Sequence, residues 1–92
     1  MPQWRAEFTN DKTLRLWLGE SIAAHVVEGP DGWRVRPNIA GRKGSRRGYV
    51  GCAAAAIVYF SKHANEVHDA ILIAHENRRA QQSQASHPEA TQ

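Results

Sequence analysis

Residues 52–79, CAAAAIVYFSKHANEVHDAILIAHENRR, decide how the remainder of the chain is read. Ala53, Ile57, Phe60, Ala64, Val67, Ile71 and Ala74 recur at alternating spacings of four and three, the apolar stripe of an amphipathic helix. The spacing predicts one long helix ending near Arg79, roughly 28 residues and about 42 Å. Arg78 and Arg79 suit the negative pole of its dipole. Ser61 to Asn65 is polar and a weaker helix former, so a break there is the alternative. Ala53 to Ala56 allow close approach to another backbone, either the chain's own sheet or a second copy. The heptad-like spacing makes a homodimer through this C-terminal helix an expectation.

Upstream of the helix the period is two. Trp4, Ala6 and Phe8 alternate with Arg5 and Glu7, and Leu14, Leu16 and Leu18 alternate with Thr13, Arg15 and Trp17. Asn10-Asp11-Lys12 between the two runs is turn chemistry. Ser21 to Glu28 continues with Ile22, Ala24, Val26 and Val27, either as a separate strand after Gly19 or as one long strand bulged there. Gly29-Pro30-Asp31-Gly32 is a strong turn signal, after which Trp33 and Val35 share one face and Arg34 and Arg36 the other. The fold class expected is α+β: an antiparallel meander of three to four strands whose apolar face packs on the C-terminal helix.

Ninety-two residues suit one small domain, read as residues 1–80 with a disordered polar tail over 81–92. Cys52 is the only cysteine, so neither an internal disulfide nor a cysteine-rich zinc site can form. MPQWRAEFT lacks the apolar run of a secretory signal, and the longest apolar run, Cys52 to Phe60, is far short of a membrane span. A cytoplasmic protein with no membrane association is the expectation.

Charge carries the functional signal. Between Trp33 and Val50 lie Arg34, Arg36, Arg42, Lys43, Arg46 and Arg47, with no Asp or Glu among them. The other residues hold six Lys/Arg against nine Asp/Glu, so a chain of net +3 is acidic with one strongly positive segment set into it. That segregation points to an anionic partner. Strand alternation places Arg15, Trp17, Arg34 and Arg36 on the face away from the helix, with Arg5 beside them. Guanidinium groups beside an indole hold phosphates and stack on bases. The expected nucleic-acid-binding residues are therefore Arg15, Trp17, Arg34, Arg36, Arg42, Lys43, Arg46 and Arg47. The loop glycines would let the backbone approach the polyanion.

In plan this layout is similar to sheet-reading nucleic-acid modules such as the arm-binding domains of phage integrases, which dock a three-stranded sheet in the major groove. It carries no diagnostic motif of such families, and the likeness is one of architecture. Gly41-Arg42-Lys43-Gly44 is similar to the GxxG loop of KH domains, but that loop joins two helices, whereas a strand-like WRVRP precedes it here.

His68 and His75 stand two helical turns apart, roughly 10 Å, too far to share one metal ion within a chain. No nucleophile, base or carboxylate pair has a supporting motif. No metal, cofactor or catalytic activity is expected. The leading expectation is a small non-enzymatic nucleic-acid-binding protein, for DNA or RNA. The alternative is a protein-interaction or inhibitor module, of the accessory kind that bacteriophages encode, docking the same basic patch on an acidic protein surface.

Overall fold

The structure is a computed structural model and describes residues 3–85. Four strands, β1 (Trp4–Asn10), β2 (Thr13–Leu18), β3 (Ser21–Gly29) and β4 (Gly32–Pro37), form one antiparallel sheet in the order β1-β2-β3-β4. Helix α1 (Cys52–Tyr59), a single 3-10 turn (Ser61–His63) and helix α2 (Ala64–Ala85) follow. The expected α+β meander backed by a C-terminal helix is the architecture observed. Between β2 and β3 the chain makes a tight turn at Gly19, whose φ of 64° lies in the left-handed region. Between β1 and β2 the Lys12 N–H donates to the Asn10 side chain (2.8 Å), as the turn residues anticipate.

One face of the sheet forms the core, and its rows are set by strand register. Phe8, Leu14, Val26 and Val35 line up across the four strands, and Ala6, Leu16 and Ala24 across three. Leu14, Leu16, Ala24, Val26 and Val35 are fully buried. Against them pack Ala55 and Ala56 of α1 and Val67, Ile71 and Ala74 of α2. Ala24 of the sheet and Ala55 and Ala56 of α1 belong to the same buried cluster, with α1 packed on β3 and β4. Much of the apolar stripe of the helices is thereby packed inside the chain: Phe60, Val67, Ile71 and Ala74 are buried, and Ala53, Ile57 and Ala64 half-buried. Leu18, expected inside, is 36% exposed at the end of β2.

The helical region takes the broken alternative. Phe60 leaves helical geometry (φ −105°, ψ 52°), and the His63 N–H closes the 3-10 turn on the Phe60 carbonyl (2.8 Å). A straight rod of about 42 Å running across the strands would overhang a sheet about 14 Å wide over three strand spacings. The break lets α1 cover β3 and β4 while α2 turns to run beside β1. Trp4 packs at the joint, its ring centroid 5.0 Å from that of Phe60 and 5.5 Å from that of His63. Helix α2 continues to Ala85, so residues 81–85, read as tail, are helical, and the rest of that tail lies outside the described residues. Among the described residues no helix is long and apolar enough to cross a membrane.

Candidate nucleic-acid interface

No helix lies on the other face of the sheet, whose outward positions are Arg5, Glu7 and Thr9 on β1, Thr13, Arg15 and Trp17 on β2, Ile22, His25 and Val27 on β3, and Arg34 and Arg36 on β4. None of these side chains is buried. Register sets Glu7, Arg15, His25 and Arg36 in one row across the four strands and Arg5, Trp17 and Ile22 in the next. Glu7 is the one carboxylate at these positions, and it is already engaged. Its Oε1 accepts from Arg15 Nη1 (3.3 Å) and from the Trp17 indole N–H (3.2 Å).

Trp17 is a framework for this row. The Arg5 guanidinium lies 4.9 Å from its ring centroid and that of Arg15 5.8 Å, so the indole spreads two cations across the face by cation–π contact. The Arg15 Nε is enclosed without a hydrogen-bond partner among the described residues. Arg34 pairs with Asp31 across the Gly32 turn, and this hydrogen bond holds the Asp31 carboxyl below its ordinary range. One of the six cations read as uncompensated thus has a partner. Arg36, Arg42, Lys43, Arg46 and Arg47 make no ion pair among the described residues.

The basic loop between β4 and α1 is a strap along the β4 edge. The Trp33 N–H donates to the Tyr49 carbonyl (2.8 Å) and the Tyr49 N–H to the Trp33 carbonyl (2.9 Å). The Val35 N–H donates to Ser45 Oγ (2.7 Å), and the Ser45 N–H donates to the Val35 carbonyl (3.0 Å). The Tyr59 hydroxyl donates to the Lys43 carbonyl (2.7 Å), which fixes the strap to α1. Two of its glycines serve this approach. A Cβ on Gly44 would stand 2.7 Å from the Val35 carbonyl oxygen, and one on Gly48 only 2.1 Å from that of Asp31. Close contact with β4, rather than with a ligand, is what these two positions require. Ser45→Ala removes the acceptor of the Val35 N–H and is expected to cost about 1 kcal/mol of stability, read from the urea midpoint.

The expected residues therefore fall into two groups. Arg15, Trp17, Arg34 and Arg36 share the outward sheet face. Arg42 turns toward the helices, its guanidinium 5.8 Å from the Tyr59 ring, and Arg47 lies 4.8 Å from the Tyr49 ring. Arg42 also lines a groove at the helix break with Trp4, Leu18, Ile39, Tyr59 and Lys62. Lys43 and Arg46 are exposed on the strap. Arg5 and His25 extend the sheet group beyond the expected set. The period-two pattern, carried through β3, places His25 between Arg15 and Arg36.

No protein-family model, curated protein or solved structure matches this chain. Its chemistry must be read from its own residues.

His75 and the thiol lie elsewhere. Cys52 is 3% exposed, its Sγ is 3.6 Å from His75 Nε2, and burial raises its pKa. A nucleophilic cysteine needs a thiolate, which that environment disfavours. The His75 ring also packs edge-on against Phe8 (5.0 Å between centroids), so the contact belongs to the packing between α2 and the sheet. Among the described residues no three metal-binding side chains converge.

Proposed function

We propose that this chain binds a nucleic acid without catalysing a reaction on it. The outward sheet face is the platform, and the strap supplies flanking phosphate contacts. The observation that carries the reading is an uncovered four-stranded face with Arg5, Arg15, Arg36 and His25, where the carboxylate of Glu7 is already held by Arg15 and Trp17 and that of Asp31 by Arg34. Trp17 orders the guanidiniums instead of offering a free ring. Arg36, Lys43 and Arg46 reach phosphates from exposed positions. Binding of this kind is mainly electrostatic and strongly salt-dependent. A cytoplasmic location goes with this reading.

The test is fluorescence anisotropy with labelled duplex DNA, single-stranded DNA and RNA across a salt series. Removing one phosphate-binding cation is expected to flatten the duplex log–log salt slope by about 0.9. Replacing Lys43 and Arg46 together by Ala should flatten it by about 2 and weaken binding on the order of 10-fold or more. Arg36→Ala should flatten it by about one further unit. Absence of binding at low salt to all three probes sinks the reading.

A second reading, an interaction or inhibitor module for an acidic protein surface, is favoured by the groove at the helix break. Its aromatic and aliphatic lining is joined by Arg42, Lys62 and His63, with no carboxylate among its lining residues. Indifference to every nucleic acid, with retained binding to an acidic protein, would select it.

A further inference from the structure

The two edges of the sheet are finished differently. On β4 the outward-pointing main-chain groups of Trp33 and Val35 are taken by Tyr49 and Ser45 of the strap. On β1 the Gly19 N–H donates to the Gln3 carbonyl (2.9 Å), which orients the odd-numbered residues toward β2. The N–H and C=O groups of Trp4, Ala6 and Phe8 therefore point away from the sheet, and none has a partner among the described residues. The strand holds no proline, glycine or lysine to discourage pairing.

The sequence of this open edge is complementary to itself. Trp4-Arg5-Ala6-Glu7-Phe8 reads aromatic, positive, small, negative, aromatic. We propose that β1 docks a second copy of this chain, β1 against β1 and antiparallel about Ala6, so that two sheets join into one of eight strands. In this register Trp4 faces the partner's Phe8, Ala6 faces the partner's Ala6, and Arg5 faces the partner's Glu7. The free groups of Trp4, Ala6 and Phe8 fall at the hydrogen-bonded positions. Arg5 and Glu7 fall at the non-hydrogen-bonded positions, where facing Cα atoms are about 4.5 Å apart and side chains interact most.

Neighbouring registers that keep the hydrogen bonds set Arg5 against the partner's Arg5, or Glu7 against the partner's Glu7. Both are repulsive, so charge selects the Ala6 register. Helix α2 contributes beside the strand. Ile73 is 56% exposed and lines the edge groove with Ala6, Ala70 and Asn77, close to where the two-fold axis would pass. The axis brings it to the partner's Ile73, with the small Ala70 leaving room. This is a different surface from the apolar stripe; it shares Arg5 and Glu7 with the outward sheet face, and its test reads self-association with no nucleic acid present.

The test is sedimentation equilibrium of the full chain from low to high micromolar concentration, with folding checked by circular dichroism. The wild type is expected to dimerise. Arg5→Glu creates two Glu–Glu facings and should weaken self-association by about tenfold or more. Glu7→Arg creates two Arg–Arg facings with the same result. Mixing the two variants pairs Glu with Arg at both sites and should restore a dimer, now mixed. Glu7→Arg also removes the bonds to Arg15 and Trp17. If it fails to fold, Arg5→Glu and amide exchange decide: the Trp4, Ala6 and Phe8 amides should become protected as concentration rises. A wild type monomeric throughout, a dimer indifferent to Arg5→Glu, or edge amides unprotected in the dimer would each overturn the proposal.

Discussion

Leu16→Ala is expected to lower the unfolding free energy by about 3 to 5 kcal/mol, in the upper part of the range for such truncations. The reason lies in its row. Leu16 is fully buried, and its register partners on either side are Ala6 and Ala24. Alanines have no side chain that can swing into the space left behind, so the cavity persists. Leu14 offers the comparison, because its partners are Phe8 and Val26 and its row can collapse further. Leu14→Ala should accordingly cost less, nearer 2 to 3 kcal/mol. In a domain this small, whose total stability is about 5 to 10 kcal/mol, the Leu16 variant should melt roughly 15 °C or more lower. Urea and thermal unfolding of both variants check the order. Equal losses would show that row composition does not govern relaxation here.

Gly48→Ala is expected to rival it from the surface. The added Cβ would meet the Asp31 carbonyl oxygen at 2.1 Å, the Asp31 carbonyl carbon at 2.5 Å and the Gly32 nitrogen at 2.8 Å. All three are backbone atoms of the turn between β3 and β4, so no rotamer change relieves the clash. The strap must lift, and the paired hydrogen bonds between Trp33 and Tyr49 go with it. Two such bonds at about 1 kcal/mol each, with the exposed edge and the loosened packing of Tyr49, give about 2 to 4 kcal/mol. Gly41→Ala is the control. Gly41 has a φ of 84° but open space around it, so only the backbone penalty of about 1 kcal/mol applies. Amide exchange at Trp33 and Val35 reports the lifting directly: fast in the Gly48 variant, slow in the Gly41 variant.

The strands were legible because one face of the sheet is buried and the other bare. Wherever that contrast holds, as at Leu14 to Leu16 and Trp33 to Arg36, alternation maps onto the faces. It fails in β3, where register shifts against Leu16 and Trp17 and both Ala23 and Ala24 are buried. The four-three stripe of residues 53–74 did not reveal the break, because a 3-10 turn at 61–63 still returns Phe60, Val67 and Ile71 to the core. Sheet geometry, which local spacing does not encode, decides it. Charge was legible as content but not as direction. Nothing in the run Arg42 to Arg47 states that Arg42 turns to Tyr59 and Arg47 to Tyr49. The strap's glycines read equally as ligand contacts or as close backbone approach, and only the positions of Asp31 and Val35 separate the two.

The strap along β4 also sets an upper limit on assembly. A sheet with two open edges can add copies at both ends and grow into a fibre. Here one border is closed by the chain itself, so lateral growth can start only from β1. Two copies joined there would present a strapped border at each end and nothing further to pair with. Growth by strand addition then terminates at a closed pair, and a variant that frees the strap would turn a finite particle into a polymerising one.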